Sequence, residues 1–212
     1  MLVKMTKEPI LLVGAGGHAR ACIDVLEQEG NYTVKGLTGL SHEIGSRILD
    51  YPVLGIDEDL PDLLKDCRNV LIAIGQIETP DLRMHLFDLL QNNNCALPTI
   101  ISPLAYVSPH AKLGTGTIVM HGGIVNAGAE VGRNCIINSQ SLIEHDVVIE
   151  DHCHISTGAK INGGVRIGKG TFIGSNSSVR QCVSIGERCI IGMGQEVLVD
   201  CENKVSMPCK KS

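Results

Sequence analysis

From Val107 to Val197 a branched aliphatic residue or leucine stands at every sixth position without a miss: Val107, Leu113, Val119, Val125, Val131, Ile137, Ile143, Ile149, Ile155, Ile161, Ile167, Ile173, Val179, Ile185, Ile191 and Val197. Four residues after most of them comes a small or short side chain, among them Ala111, Thr117, Gly123, Ala129, Cys135, Ser141, Ala159 and Ser177, with Gln195 the exception. A period of six matches neither the turn of a helix nor the alternation of an open sheet. A short repeat that cannot bury its own apolar side must stack on its neighbours, and six-residue repeats do so as a parallel β-helix. Three hexads per coil make a triangular prism of a little over five coils.

Composition agrees with a narrow prism. Hydrophobic residues make up 43% of the chain but aromatics only 2%, so Ile, Val, Leu and Ala must fill the core. The nine cysteines are odd in number and form no CxxC pair, which argues against a disulfide framework or a zinc ribbon. Cys135, Cys153, Cys189 and Cys201 occupy the small position of the hexad and read as buried hydrophobes. Met1–Lys7 carries no signal-peptide pattern and no apolar run reaches spanning length, so a cytoplasmic protein without membrane insertion is expected. The net charge of −5 is uneven. Residues 160–212 carry Lys160, Arg166, Lys169, Arg180, Arg188, Lys204, Lys210 and Lys211 against Glu187, Glu196, Asp200 and Glu202. A basic end on an acidic chain suits an anionic small molecule rather than nucleic acid; a merely solvated face is the plain alternative.

Before the repeats the pattern changes. Residues 9–13 read as a buried strand running into Gly14-Ala15-Gly16-Gly17-His18-Ala19, followed by a helix that Gly30 stops. Further strands are expected at 32–37, at Pro52–Gly55, at 69–74 and at 96–101, with a helical turn at 59–65. An amphipathic helix is expected over 79–91, with Thr79 as cap and Pro80 in its first position. Strand–helix alternation implies a small Rossmann-like α/β domain over residues 1–102, ahead of a β-helix over 103–212. The glycines after the first strand suit a phosphate at the helix start. An acid that would bind a nicotinamide ribose is absent after the second strand, where Thr38 and Gly39 stand.

Within the coils one stretch is unusually polar. Residues 144–154 hold His145, His152 and His154 among Glu144, Asp146, Glu150 and Asp151. His145 lies between two carboxylates, either of which could hold its imidazole in one tautomer, as a general base near neutral pH requires. A solvated surface histidine is the bland alternative. A zinc site is another, because neutral imidazoles bind zinc and a trimeric β-helix can bring histidines of neighbouring chains together. His145 precedes His154 by half a coil.

The uninterrupted hexads, with Gly-Ala-Gly-Gly-His at 14–18, Pro52-Val53-Leu54-Gly55, Ala73-Ile74-Gly75 and Ser141-Leu142-Ile143-Glu144-His145, resemble the left-handed β-helix acyltransferases of the hexapeptide-repeat family. The similar branch holds sialic acid O-acetyltransferases and N-acetyltransferases of nucleotide-linked 4-amino-sugars in bacterial glycan pathways. The resemblance implies a homotrimer with acetyl-CoA as co-substrate in the groove between prisms; no metal is expected. It implies His145 as base, Asp146 as its orienting neighbour, and His154 beside the thioester. Gly163 lies three hexads after His145 and should stack over it, offering its N–H to the developing oxyanion. Lys160, Arg166, Lys169 and Arg180 are expected near coenzyme A on charge. Gly14, Gly16, Gly17, His18, Thr38, Gly75 and Asn138 are expected around the sugar nucleotide. Val205–Lys210 resembles a worn form of the family's Gly-x-Pro-Ala-Lys ending. The implied activity is acetylation of an amine on a UDP-linked 4-amino-deoxy-sugar. O-acetylation of sialic acid and a zinc-dependent hydratase are the alternatives.

Overall fold

The computed structural model describes residues 7–209, so the readings of Met1–Thr6 and of Lys210 and Lys211 fall outside the described residues. Strand β1 (Glu8–Val13) leads to helix α1 (Gly17–Glu29), and β2 (Tyr32–Thr38) follows. Gly30 ends α1 in the left-handed region (φ 82°) and donates its N–H to Leu26 O at 3.0 Å. Next come β3 (Arg47–Ile48), β4 (Tyr51–Gly55), the short α2 (Leu60–Leu63), β5 (Asn69–Ile72) and α3 (Asp81–Asn92). The sheet runs β3-β4-β2-β1-β5, parallel except for the β3–β4 hairpin, an element absent from the sequence expectations.

The unbroken apolar run of β1 has two partners. Ile10 and Leu12 pack with Ala19, Cys22, Ile23 and Leu26 of α1, while Leu11 and Val13 pack with Leu86, Phe87 and Leu90 of α3. Burial on both faces is why the strand shows no alternation. Each such side chain contributes roughly 1.5–3 kcal/mol.

Two expectations need correction. Helix α3 begins at Asp81, not at Thr79 or Pro80; Thr79 Oγ1 accepts the Asp81 N–H at 3.2 Å. The segment 96–101 is not a strand of the α/β sheet. Ala96 bridges Asn69, and Ile100–Ile101 then pairs with Ile118–Val119 as the first rung of the prism. Pro98 has no N–H with which to carry a ladder between them.

The remaining chain winds a left-handed parallel β-helix, an exception to the usual crossover hand. Partners along each face lie eighteen residues apart, as in Ile124 with Leu142 and Val148 with Arg166, so three hexads do make one coil. The hexad aliphatics point inward: from Val119 to Val197 every one is buried. The small position packs beside them, with Ala129, Cys135, Val147, Cys153, Ala159 and Cys189 in the same core.

The turns explain a second column. Every sixth residue from Gly116 to Gly194 has φ between 53° and 77°, and glycine holds seven of these corners. Asn134, Asp146 and Asn176 are of the types that tolerate the left-handed region; His152, Cys182 and Arg188 pay about 1–2 kcal/mol to be there.

The three faces differ outward. One face, running through Ile118, Ile136, His154 and Phe172, is covered by the α/β domain, and Ile100, Ile118, Met120 and Ile136 join the α1 core. A second face, through Tyr106, Ile124, Leu142 and Lys160, is open and apolar in its early coils. The third, through Lys112, Glu130, Val148 and Arg166, is charged. The domain is fastened to the covered face by polar links. Arg83, fully buried, donates to Ile72 O, Ile74 O and Asn134 Oδ1 at 2.9, 2.6 and 2.6 Å. Gln76 Nε2 donates to His152 O at 3.0 Å, and Arg188 pairs with Asp81 at 2.7 Å. Among the described residues no helix is long and apolar enough to cross a membrane.

Candidate active site

His145 sits on the corner between the open and the charged face, in the turn joining Leu142–Ile143 to Val148–Ile149. Asp146 takes the left-handed corner position (φ 59°), which swings its carboxylate back onto the preceding ring: Oδ2 lies 2.9 Å from His145 Nδ1. An ionised carboxylate only accepts, so the neutral ring carries its proton on Nδ1 and presents the Nε2 lone pair. That hydrogen bond above all raises the His145 pKa above its ordinary value; burial opposes it, and the charges of Asp146 and Glu144 add smaller upward contributions. Of the two flanking carboxylates only Asp146 holds the ring; Glu144 accepts from Asn126 Nδ2 at 2.9 Å.

Gly163 occupies the same corner one coil on. A Cβ there would lie 2.6 Å from His145 Nε2, so only glycine leaves room for the imidazole. The turn ties the Gly163 carbonyl to the Cys182 N–H at 3.0 Å, while among the described residues the Gly163 N–H has no acceptor. A free N–H thus stands beside a free imidazole nitrogen. Lys160 enters this corner, Arg166 leaves it, and Arg180 begins the same corner one coil further; all three are exposed. Lys169 belongs to the next corner, so the four expected cations do not form one patch.

The second feature is a cavity of about 600 Å³ between the α/β domain and the covered face. The carboxyl ends of the parallel strands open into it, as expected of such sheets: Gly14–His18 after β1, Gly39, Leu40 and Glu43 after β2, Asp57 after β4, and Ala73–Ile77 after β5. Gly14 has φ 110°, and a Cβ there would meet Ile74 at 2.5 Å; beside Gly16 and Gly17 the space is open. The first turn of α1 holds no acid, leaving its N-terminus free for an anion.

His154 closes the cavity from the prism side, with Asn138 and Ser156. Its Nδ1 donates to Gln76 O at 2.6 Å, and its Nε2 accepts from Asn138 Nδ2 at 3.1 Å. The Ser139 N–H bonds Asn138 Oδ1 at 2.8 Å, which fixes that amide. Burial, set against the Gln76 carbonyl and helped by Arg83, holds His154 down to about 4. His18 is pushed down to about 3, by burial first and then by Arg83 and His154. Both imidazoles are neutral near pH 7. Among the described residues His18 Nε2 is buried without a partner.

Of the residues expected around a sugar nucleotide, Gly14, Gly16, Gly17, His18, Gly75 and Asn138 line this cavity. Thr38 does not. It is fully buried, and its hydroxyl donates to Asp57 Oδ1 at 2.8 Å. Asp57 and Glu43 are the cavity's carboxylates, and sequence reasoning missed both.

The two features are apart within one chain. His145, Asp146 and Gly163 line none of the cavity. They stand on the corner of the prism opposite the face that carries His154. Among the described residues no group of three or more His, Cys, Asp or Glu is arranged to hold a metal ion.

Residues 9–88 match the PglD N-terminal domain, and residues 128–163 and 164–194 match the bacterial transferase hexapeptide model of six repeats. Among solved structures, a mutant of perosamine N-acetyltransferase from Caulobacter crescentus, in complex with CoA and GDP-perosamine, is similar over 96% of this chain and 95% of that one, at 30% identity and a TM-score of 0.88. The acetyltransferase domain of PglB from Neisseria gonorrhoeae FA1090, in complex with acetyl coenzyme A, is 26% identical over 95% and 96% of the two chains, with a TM-score of 0.87. WeeI from Acinetobacter baumannii AYE shares the fold, at 23% identity over 96% and 97%, with a TM-score of 0.83. By its N-terminal domain, its hexads and its similarity along nearly the whole chain, the protein belongs to the hexapeptide-repeat acyltransferase family.

Proposed function

We propose that the protein transfers the acetyl group of acetyl-CoA to the amine of a nucleotide-linked 4-amino-deoxy-sugar, as a homotrimer. The cavity of one chain would be completed by the His145 corner of its neighbour. The observation that carries the chemistry is the stacking of Gly163 against His145, which puts a base and an unpaired N–H side by side. The relatives solved with CoA, with acetyl coenzyme A and with GDP-perosamine support the co-substrate and the substrate class. Exposed Tyr106 and Ile124 on the open face, which leads into the same corner, supply apolar surface for a second copy.

The sugar's amine nitrogen attacks the thioester carbonyl carbon, and the carbonyl pair moves to oxygen. His145 Nε2 takes the proton lost by nitrogen, and Asp146 stabilises the imidazolium. The Gly163 N–H donates to the oxyanion. Collapse restores the carbonyl, breaks the C–S bond and expels coenzyme A thiolate, which takes the proton from His145. A thioester is already activated and both reactants are held together, so no covalent enzyme intermediate is needed. His154 positions the acetyl group, and Lys160, Arg166 and Arg180 attract the phosphates of coenzyme A.

The sialic acid alternative is disfavoured by charge. The cavity lining offers Glu43 and Asp57 but no Lys or Arg to an acceptor's carboxylate. The zinc alternative asks His154 for a ring nitrogen, and both are engaged.

Release of coenzyme A thiol from acetyl-CoA tests the proposal, with UDP- and GDP-linked 4-amino-sugars and free or CMP-linked sialic acids as acceptors. Turnover with an amino-sugar is expected. Turnover confined to sialic acids, or to none of the panel, would refute the assignment.

A further inference from the structure

We propose that Asp57, held in place by Thr38, is the carboxylate that receives the nucleoside of the substrate and sets how tightly the nucleotide is bound. The inference rests on the cavity being a sugar-nucleotide site and names the residue that would read its nucleoside.

In doubly wound sheets an acid at the end of the second strand meets the ribose. Here that position is Thr38, and its buried hydroxyl points at Asp57 instead of at the cavity. The pairing of β2 with β4 makes this possible: Thr38 lies opposite Gly55, and Asp57 follows two residues on. The carboxylate has been moved one strand outward. Adjacent strands are separated by about 4.8 Å, so Asp57 lies two strands, or roughly 10 Å, from the glycine loop of β1. A diphosphate at the N-terminus of α1 would therefore carry its nucleoside toward β4, and its sugar toward His154.

The two cavity acids are not equivalent. Each has one oxygen engaged, but Glu43 Oε2 accepts the Leu40 N–H of its own turn at 2.7 Å, whereas Asp57 is anchored from the neighbouring strand. Asp57 Oδ1 is held by Thr38, and among the described residues Oδ2 has no partner. A fixed carboxylate with a free oxygen accepts from an N–H or O–H donor. On a nucleoside that donor is a ribose hydroxyl or a base N–H. The Thr38 hydroxyl keeps the carboxylate from turning, so Thr38 is a positioning residue.

The test is calorimetric binding of UDP, GDP, CDP and 2′-deoxy-UDP to the wild type, Asp57→Asn, Asp57→Ala and Thr38→Val. Acetyl-CoA binding and Tm are measured alongside to show that each variant is folded. Asp57→Ala is expected to weaken the preferred nucleoside diphosphate by roughly 10- to 100-fold, and Asp57→Asn and Thr38→Val by less. Acetyl-CoA affinity should stay at the wild-type value in all three. If the donor is the ribose 2′-hydroxyl, 2′-deoxy-UDP binds the wild type as weakly as UDP binds Asp57→Ala. If it is a base N–H, the wild type discriminates among the bases and Asp57→Ala loses that discrimination. Equal nucleotide affinity in the wild type and Asp57→Ala would overturn the proposal while leaving the sugar-nucleotide reading intact. Failure of every nucleotide to bind the wild type would overturn both.

Discussion

A Cβ on Gly163 would stand 2.6 Å from Nε2 of His145, one coil away. The proposed base therefore rests on the peptide proposed to bind the oxyanion, and the contact exists because a hexad repeat brings the same corner round every eighteen residues. Gly163→Ala should displace the imidazole without unfolding the prism. We expect kcat to fall by about 100-fold, as for a misplaced catalytic group, with Tm changed little. Wild-type turnover in this variant would refute the stacked arrangement as catalytic.

The pH profile follows from Asp146. Its hydrogen bond raises the His145 pKa, and a base works only when neutral, so kcat/KM should rise with pH through a value above the ordinary 6.5. Asp146→Asn removes the charge and the acceptor. Its rising limb should move to lower pH, while the plateau drops because the ring is less firmly held. Limbs that coincide in a rate–pH comparison would show that Asp146 does not tune the base.

Acid should weaken the fold before the carboxylates titrate. His18, His152 and His154 are held down to about 3, 4 and 4, chiefly by burial. Between those values and 6.5 the unfolded chain binds protons that the folded chain does not. Stability is thus highest above the unfolded value and falls with falling pH, each group adding a slope of up to about 1.4 kcal/mol per pH unit. His145 has the opposite sign, losing its contribution as pH rises, but it is exposed and weighs little. A Tm scan from pH 7.5 to 4.5 should therefore slope steadily downward below pH 6.5. A flat scan would mean that these histidines are not buried neutral.

How much of this could be read in the sequence depended on whether a feature repeats. The inward column from Val107 to Val197 is periodic, so the prism, its three hexads per coil and the position of Gly163 over His145 followed from counting. The corner column was equally periodic, with glycine at 116, 122, 128, 158, 164, 170 and 194, but its meaning lies in φ, which side-chain pattern alone does not reveal. Asp57 was hidden for a different reason. Only the pairing of β2 with β4 brings it to Thr38, nineteen residues away, and nothing in the intervening chain signals that pairing. The half-coil between His145 and His154 was visible; that it puts them on opposite sides of one prism needed the α/β domain to be seen on the His154 face.

That separation makes the central claim testable, since neither chain alone unites cavity and base. His145→Ala lacks the base, and His154→Ala lacks the cavity's imidazole. The two would be co-expressed with different tags, and trimers carrying both tags purified and assayed for thiol release. Around a three-fold ring that holds both kinds of chain, one junction in three pairs an intact cavity with an intact base, whichever kind is in the majority. Mixed trimers should therefore recover a comparable fraction of wild-type kcat, although each parent alone is nearly inactive. Mixed trimers no more active than their parents would contradict a site shared between chains.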